Sequence, residues 1–142
     1  MAKRVEVTLL GIRCVAENDG PGNELEIFGD LYANVEYGSQ AHEILMWSAS
    51  NSGHEDIKVG NALPINKTEI INMNEGERLA LGGTLFEWDG PDIAKDPMGN
   101  RSIRVNYSEI NQYTTPYLIE FSYEGQVVLA EYNVREYPSL LE

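Results

Sequence analysis

The segment Leu25-Glu26-Ile27-Phe28-Gly29-Asp30-Leu31-Tyr32-Ala33-Asn34-Val35-Glu36-Tyr37 decides the fold class. Leu25, Ile27, Gly29, Leu31, Ala33, Val35 and Tyr37 occupy one set of alternate positions, and Glu26, Phe28, Asp30, Tyr32, Asn34 and Glu36 occupy the other. Side chains of an extended chain point to opposite faces with period two, so this pattern predicts a long strand buried on one side. The alternation recurs upstream. Val5, Val7 and Leu9 alternate with Glu6 and Thr8, and Gly11 then shifts the phase, as a bulge does, before Ile12 and Cys14. Further strands are expected over residues 42–48, 69–73, 78–87, 101–107, 117–123 and 127–134. Asn74-Glu75-Gly76-Glu77 and Glu124-Gly125 carry turn residues and are expected to close hairpins. Gly82-Gly83 is expected to mark a bend within a strand. Residues 48–53 are small and polar and suit a loop, and residues 108–112 suit one short turn.

The chain has 142 residues and shows no internal repeat, linker or low-complexity tract. The expectation is a single domain, residues 1–142, of the all-β class: an antiparallel, eight-stranded sandwich of two sheets.

Charge limits the partners. There are 23 Asp and Glu against 10 Lys and Arg, a net charge of −13. The basic residues are scattered, whereas nucleic-acid binding needs a clustered basic face, so no nucleic-acid partner is expected. An acidic surface also needs a bridging cation before it can approach anionic lipid. Cys14 is the one cysteine, which excludes an intrachain disulfide, and its place among apolar positions predicts a buried, inert thiol. Lys3 and Arg4 precede Val5, Val7, Leu9 and Leu10 as in a signal peptide, but Glu6, Thr8 and Arg13 break the apolar run. No run approaches the ~18 apolar residues of a membrane span. The default expectation is a cytoplasmic location, or a mature form or fragment lacking its leader.

Two stretches concentrate acids and turn residues. One is Glu17-Asn18-Asp19-Gly20-Pro21-Gly22-Asn23-Glu24. The other is Glu87-Trp88-Asp89-Gly90-Pro91-Asp92-Ile93-Ala94-Lys95-Asp96-Pro97-Met98-Gly99. Calcium takes six to eight oxygen ligands from carboxylates, carbonyls and water. Neither stretch supplies enough alone, but a sandwich can bring both to one end. Glu87 and Asp89 are two apart and point the same way in an extended backbone. Asp96 returns after a loop containing Gly90 and Pro91. Carboxylates converging with only Lys95 nearby repel one another unless a cation or water relieves them.

Leu85-Phe86-Glu87-Trp88-Asp89, followed by Asp96-Pro97-Met98-Gly99, resembles the third calcium loop of C2 domains. The first acidic stretch is similar to the family's first loop, with Asp19 and Glu24 in the acid positions and Glu26 a neighbour on the same strand face. Asn66-Lys67-Thr68 before a strand, and the Gly76 turn before Arg78, also fit the family's middle. The acids at 24 and 87 are Glu where the family pattern has Asp, and Asp92 is additional. Because the first acidic loop directly follows the first strand, the resemblance is to the permuted, phospholipase-type C2 topology. It implies a non-catalytic module that binds Ca2+ through Asp19, Glu24, Glu87, Asp89 and Asp96, with Asp92 and Asn18 as auxiliaries. It further implies a phospholipid membrane surface or another protein as partner, with Ile93 and Met98 as the apolar loop residues that meet a membrane.

Other chemistry is weaker. Counting Asp89 as the first position of an EF-hand loop, the twelfth is Asn100 rather than Glu. His42 and His54 lack the neighbours of a zinc pattern, and no G-x-S-x-G elbow accompanies Ser50 and Ser52. A compact sandwich without a cleft-forming insertion argues against an enzyme. Tyr107, Tyr113, Tyr117, Tyr123, Tyr132 and Tyr137 crowd the last third of the chain. Tyrosines commonly bury the ring and keep the hydroxyl wet. An exposed set would instead suit a carbohydrate- or protein-binding module of the lectin or adhesion kind. A structural or assembly subunit pairing through an edge strand is the third reading.

Overall fold

The computed structural model describes residues 2–16, 24–37, 40–88 and 96–137. They contain nine strands: β1 (Ala2–Ala16), β2 (Glu24–Tyr37), β3 (Gln40–Ala49), β4 (Glu55–Lys58), β5 (Ala62–Asn74), β6 (Arg78–Glu87), β7 (Asp96–Asn106), β8 (Thr115–Tyr123) and β9 (Gln126–Glu136). Two short 3-10 turns, Asn51–Gly53 and Tyr107–Glu109, complete the described regular structure. One sheet runs β5-β1-β9-β8; the other runs β3-β2-β6-β7, with β4 extending it beside β2. All described pairings are antiparallel, as the alternating pattern predicts. Among the described residues, no helix is long and apolar enough to cross a membrane.

Eight strands answer to the expected segments, and β4 is the addition. Three of its four residues are polar, so it has no readable pattern. It forms because β3 pairs β2 only from Gly29 onward, which leaves the ladder groups of Glu24 to Ile27 for β4. Ile57, 2% exposed, anchors it in the core.

Alternation in β1 and β2 sets the layers. Val5, Val7, Leu9, Ile12 and Cys14 from one sheet face Leu25, Ile27, Leu31, Ala33 and Val35 from the other. Burying each such aliphatic side chain contributes about 1.5–3 kcal/mol against the entropy of ordering the chain. Gly11 is the expected bulge, since the register of β1 shifts beside it against both β5 and β9. Glu124 and Gly125 have φ of +46° and +89° and close the β8–β9 hairpin with the two positive-φ residues of a type I′ turn.

One local expectation is corrected. Asn74 to Glu77 is not a hairpin. β5 pairs β1 while β6 pairs β2 and β7, so this turn carries the chain from one sheet to the other. Turn chemistry specifies a reversal but not which sheet receives the next strand. At Gly82-Gly83, β6 pairs β2 in unbroken register through both. A Cβ on Gly82 would collide with the Arg101 carbonyl, and one on Gly83 with the Asp30 carbonyl. These glycines permit close backbone approach on both sides of a central strand.

Tyr132 ties the layers together. It sits on β9 with no exposed surface, and its hydroxyl crosses to the other sheet. There it donates to the Tyr32 carbonyl at 2.9 Å and approaches the Gly82 carbonyl at 3.4 Å. Burial pushes this phenol well above its ordinary pKa, and the two carbonyl hydrogen bonds only partly oppose that.

Candidate functional site

The two acid-rich stretches leave and re-enter the sandwich at the same end. Residues 17–23 link β1 to β2, and residues 89–95 link the end of β6 to β7. Ile27 on β2 opposes Glu87 on β6, and Glu87 opposes Asp96 on β7. Glu24 opposes Lys58 on β4. Three of the expected ligand positions, Glu24, Glu87 and Asp96, therefore occupy strand ends on neighbouring strands. Asn18, Asp19, Asp89 and Asp92 lie outside the described residues, and so does Ile93.

Glu87 faces inward. It is 2% exposed at the mouth of the core. Its Oε2 accepts the Glu26 backbone N–H at 3.2 Å, and its Oε1 accepts from Gln126 Nε2 at 3.3 Å. Gln126 opens β9 in the opposite sheet and is 4% exposed. Its Oε1 has no hydrogen-bond partner among the described residues. A buried amide oxygen without a donor carries a desolvation penalty of about 1–3 kcal/mol. The Glu87 carboxylate and the Gln126 amide oxygen are hard oxygen donors, so this donor set fits calcium. Sequence reading missed Gln126 because an isolated glutamine after a turn carries no motif; only its strand-end position across from Glu87 exposes it.

Met98 is corrected. It is fully buried on β7 rather than displayed on a loop. The strand begins at Asp96, earlier than the alternation suggested. A register shift between Leu85 and Phe86 accommodates Pro97 and turns Met98 into the core.

The outer face of the same end carries a second group. Glu26 and Asp56 oppose each other across β2 and β4. His54 directly precedes β4, and its Nε2 lies 3.7 Å from Glu26 Oε2 and 3.9 Å from Asp56 Oδ1. The His54 ring stacks on Trp88 at 4.3 Å between centroids and 15° between planes. Trp88 is held by its own N–H, which donates to the Glu26 carbonyl at 2.8 Å. The sequence shows Glu55 and Asp56 directly after His54 but no ligand spacing of a zinc pattern. Only β4, pairing Asp56 with Glu26, brings Glu26, His54 and Asp56 together.

The tyrosines divide. Tyr132 is buried, and Tyr107, Tyr117 and Tyr123 pack against the core. Tyr37 and Tyr113 are exposed, at 62% and 81%. Lys3 sits over the Tyr107 ring at 4.1 Å and donates to the carbonyls of Tyr107 and Ile110. Most of the group is thus spent on packing. A shallow concavity of about 410 Å³, lined by Glu75, Gly76, Glu77, Asn106, Tyr107 and Ser108, lies at the end opposite the acidic stretches.

No family model matches the chain, and no curated protein matches it. Solved structures do. The chain is similar to the C2A domain of plant extended synaptotagmin 1, with 9% identity over 96% of this chain and 97% of that one and a TM-score of 0.47. It is also similar to a C2 domain protein from Ramazzottius varieornatus, with 11% identity over 96% of this chain and 90% of that one and a TM-score of 0.48.

Proposed function

We propose that this protein is a non-catalytic, C2-like β-sandwich module that binds calcium at the end where the strands flanking its two acidic stretches begin and finish. The observation that carries the reading is Glu87. It is a buried carboxylate at a strand end, in register with Asp96, beside the amide of Gln126, whose oxygen has no donor among the described residues. Glu24, Glu87 and Asp96 would supply ligands from strand ends. Asp19 and Asp89 would supply them from the connecting segments, with Asn18 and Asp92 as auxiliaries. Bound calcium would neutralise the repulsion among these acids and reverse the local potential.

That reversal would let an anionic phospholipid surface approach an otherwise acidic chain. With Met98 in the core, Ile93 alone remains of the two apolar loop residues the sequence offered, so the contact would be chiefly electrostatic.

Thermal unfolding with calcium and with chelator tests the metal step. Calcium at ~100 times its dissociation constant should add about 2.7 kcal/mol. At this chain length that raises the melting temperature by roughly 10 °C. Asp89→Asn combined with Asp96→Asn should abolish the rise. An identical melting temperature in millimolar calcium and in chelator overturns the reading. Sedimentation with vesicles containing phosphatidylserine tests the membrane step; recovery of all protein in the supernatant with calcium present leaves a calcium site without a lipid role.

A further inference from the structure

We propose that Glu26, His54 and Asp56 form a metal site for a borderline divalent transition ion of the zinc class, on the outer face of the sheet and separate from the Glu87 site. Glu87 and Glu26 lie on opposite faces of the sheet. Glu87 points between the layers, whereas Glu26 alternates with the buried Leu25 and Ile27, and Asp56 precedes the buried Ile57.

The donor set is mixed. One imidazole and two carboxylates suit zinc, and the nitrogen ligand sets this group apart from an all-oxygen calcium site. Spacing supports an ion at the centre. His54 Nε2 stands 3.7 and 3.9 Å from the two carboxylate oxygens, beyond direct hydrogen-bond reach and nearly equal. One donor atom from each of the three residues falls within 4.8 Å of the others. A tetrahedral ion with bonds of about 2.0–2.2 Å has ligand–ligand edges of roughly 3.3–3.6 Å, so the two histidine–acid separations need contract by only a few tenths of an ångström.

Two further features prepare it. Stacking on Trp88 fixes the imidazole plane, so Nε2 is held toward both acids rather than turned to water. Like charges placed directly opposite across a strand pair repel, and Glu26 and Asp56 are such a pair. The fourth position would be open to water, since the Asp56 side chain is 57% exposed. The ion would clip β4 to β2, holding the one strand that has little core of its own. Lys58, two residues beyond Asp56 and opposite Glu24, is the basic group on β4.

The inference stands apart from the calcium reading and is tested separately, by calorimetric titration of the full chain with Zn2+. One ion per chain is expected. Affinity should fall at least about tenfold in His54→Gln and in Asp56→Asn, and stay unchanged in Glu87→Gln. Circular dichroism checks that each variant is folded. Cobalt in place of zinc gives a direct readout on the unaltered chain. Its visible absorption should show nitrogen–oxygen ligation, and Trp88 emission should be quenched, with Trp47→Phe removing the other tryptophan signal. Absence of zinc binding, equal affinity in wild type and His54→Gln, or a cobalt spectrum of the aqueous ion overturns the proposal and leaves His54 as a stacked neighbour of two acids.

Discussion

Gln126 and Glu87 meet across the sandwich: the amide of the first residue of β9 donates to the carboxylate of the last residue of β6, at 3.3 Å, in a buried setting. They belong to different sheets and lie 39 residues apart. Among the described residues the Gln126 amide oxygen has no donor, and Glu87 is almost wholly out of water. A buried amide oxygen without a donor is costly, and a cation would satisfy it.

That asymmetry predicts the behaviour of Glu87→Gln. The neutral isostere keeps a carbonyl acceptor for the Glu26 N–H and the Gln126 amide, so the calcium-free protein should remain folded. The same change removes a proposed ligand, so the calcium-dependent rise in melting temperature should largely disappear. Scanning calorimetry with calcium and with chelator measures both. A variant that keeps the full calcium rise would remove Glu87 from the site.

Tyr132→Phe should lower stability by about 1–2 kcal/mol, because the Tyr32 carbonyl loses its cross-sheet donor in a dry setting. The midpoint of urea unfolding should fall with its slope unchanged. The variant should also resist alkali better than wild type. The folded phenol titrates above its unfolded value, so its contribution is complete below about pH 10. It is lost as pH rises further, by up to about 1.4 kcal/mol per pH unit for one group. Tyr107 and Tyr117 are also shifted up, chiefly by burial, and are present in both proteins. The difference in alkaline slope therefore isolates Tyr132, and parallel slopes in the two proteins would count against its buried titration.

Met98→Ala should destabilise by roughly 2–4 kcal/mol, the range for truncating a buried large side chain. Vesicle sedimentation of the folded variant should match wild type. A large loss of lipid binding with little loss of stability would instead place Met98 on the surface, as its sequence neighbourhood suggests.

The layers were legible because period-two alternation reports burial directly. β1, β2 and β9 carry it over ten residues or more, and their inward positions are the core. The acidic end was legible because acids, glycine and proline concentrate in two stretches. What was not legible depends on pairing between distant strands. β4 has one apolar residue and exists because β2 has unpaired ladder groups beside it. The Glu26–His54–Asp56 group follows from β4, so it was hidden with it. Gln126 reaches Glu87 only because β9 lies in the sheet opposite β6. The close approach at Gly82-Gly83 was hidden for a related reason: glycine in a strand signals a bend or close approach, and only the neighbouring backbones show the latter.

Two glycine substitutions separate these meanings. Gly82 has φ of +147°, and a Cβ there would collide with the Arg101 carbonyl and lie 2.7 Å from the Ser102 Cα. Both are backbone atoms of a paired strand and cannot turn aside, so Gly82→Ala should cost about 3 kcal/mol or more. Gly60 has φ of +86° and nothing within 4 Å of its Cβ position. Gly60→Ala should therefore cost only the left-handed strain, about 1–2 kcal/mol. Urea unfolding of the two variants measures the difference. The Gly82 variant should unfold at clearly lower urea, because forcing β6 away from β7 also disturbs the Gly82 carbonyl that Tyr132 approaches. Equal losses in the two variants would mean that backbone conformation alone, and not the close approach of β7, accounts for the glycine at position 82.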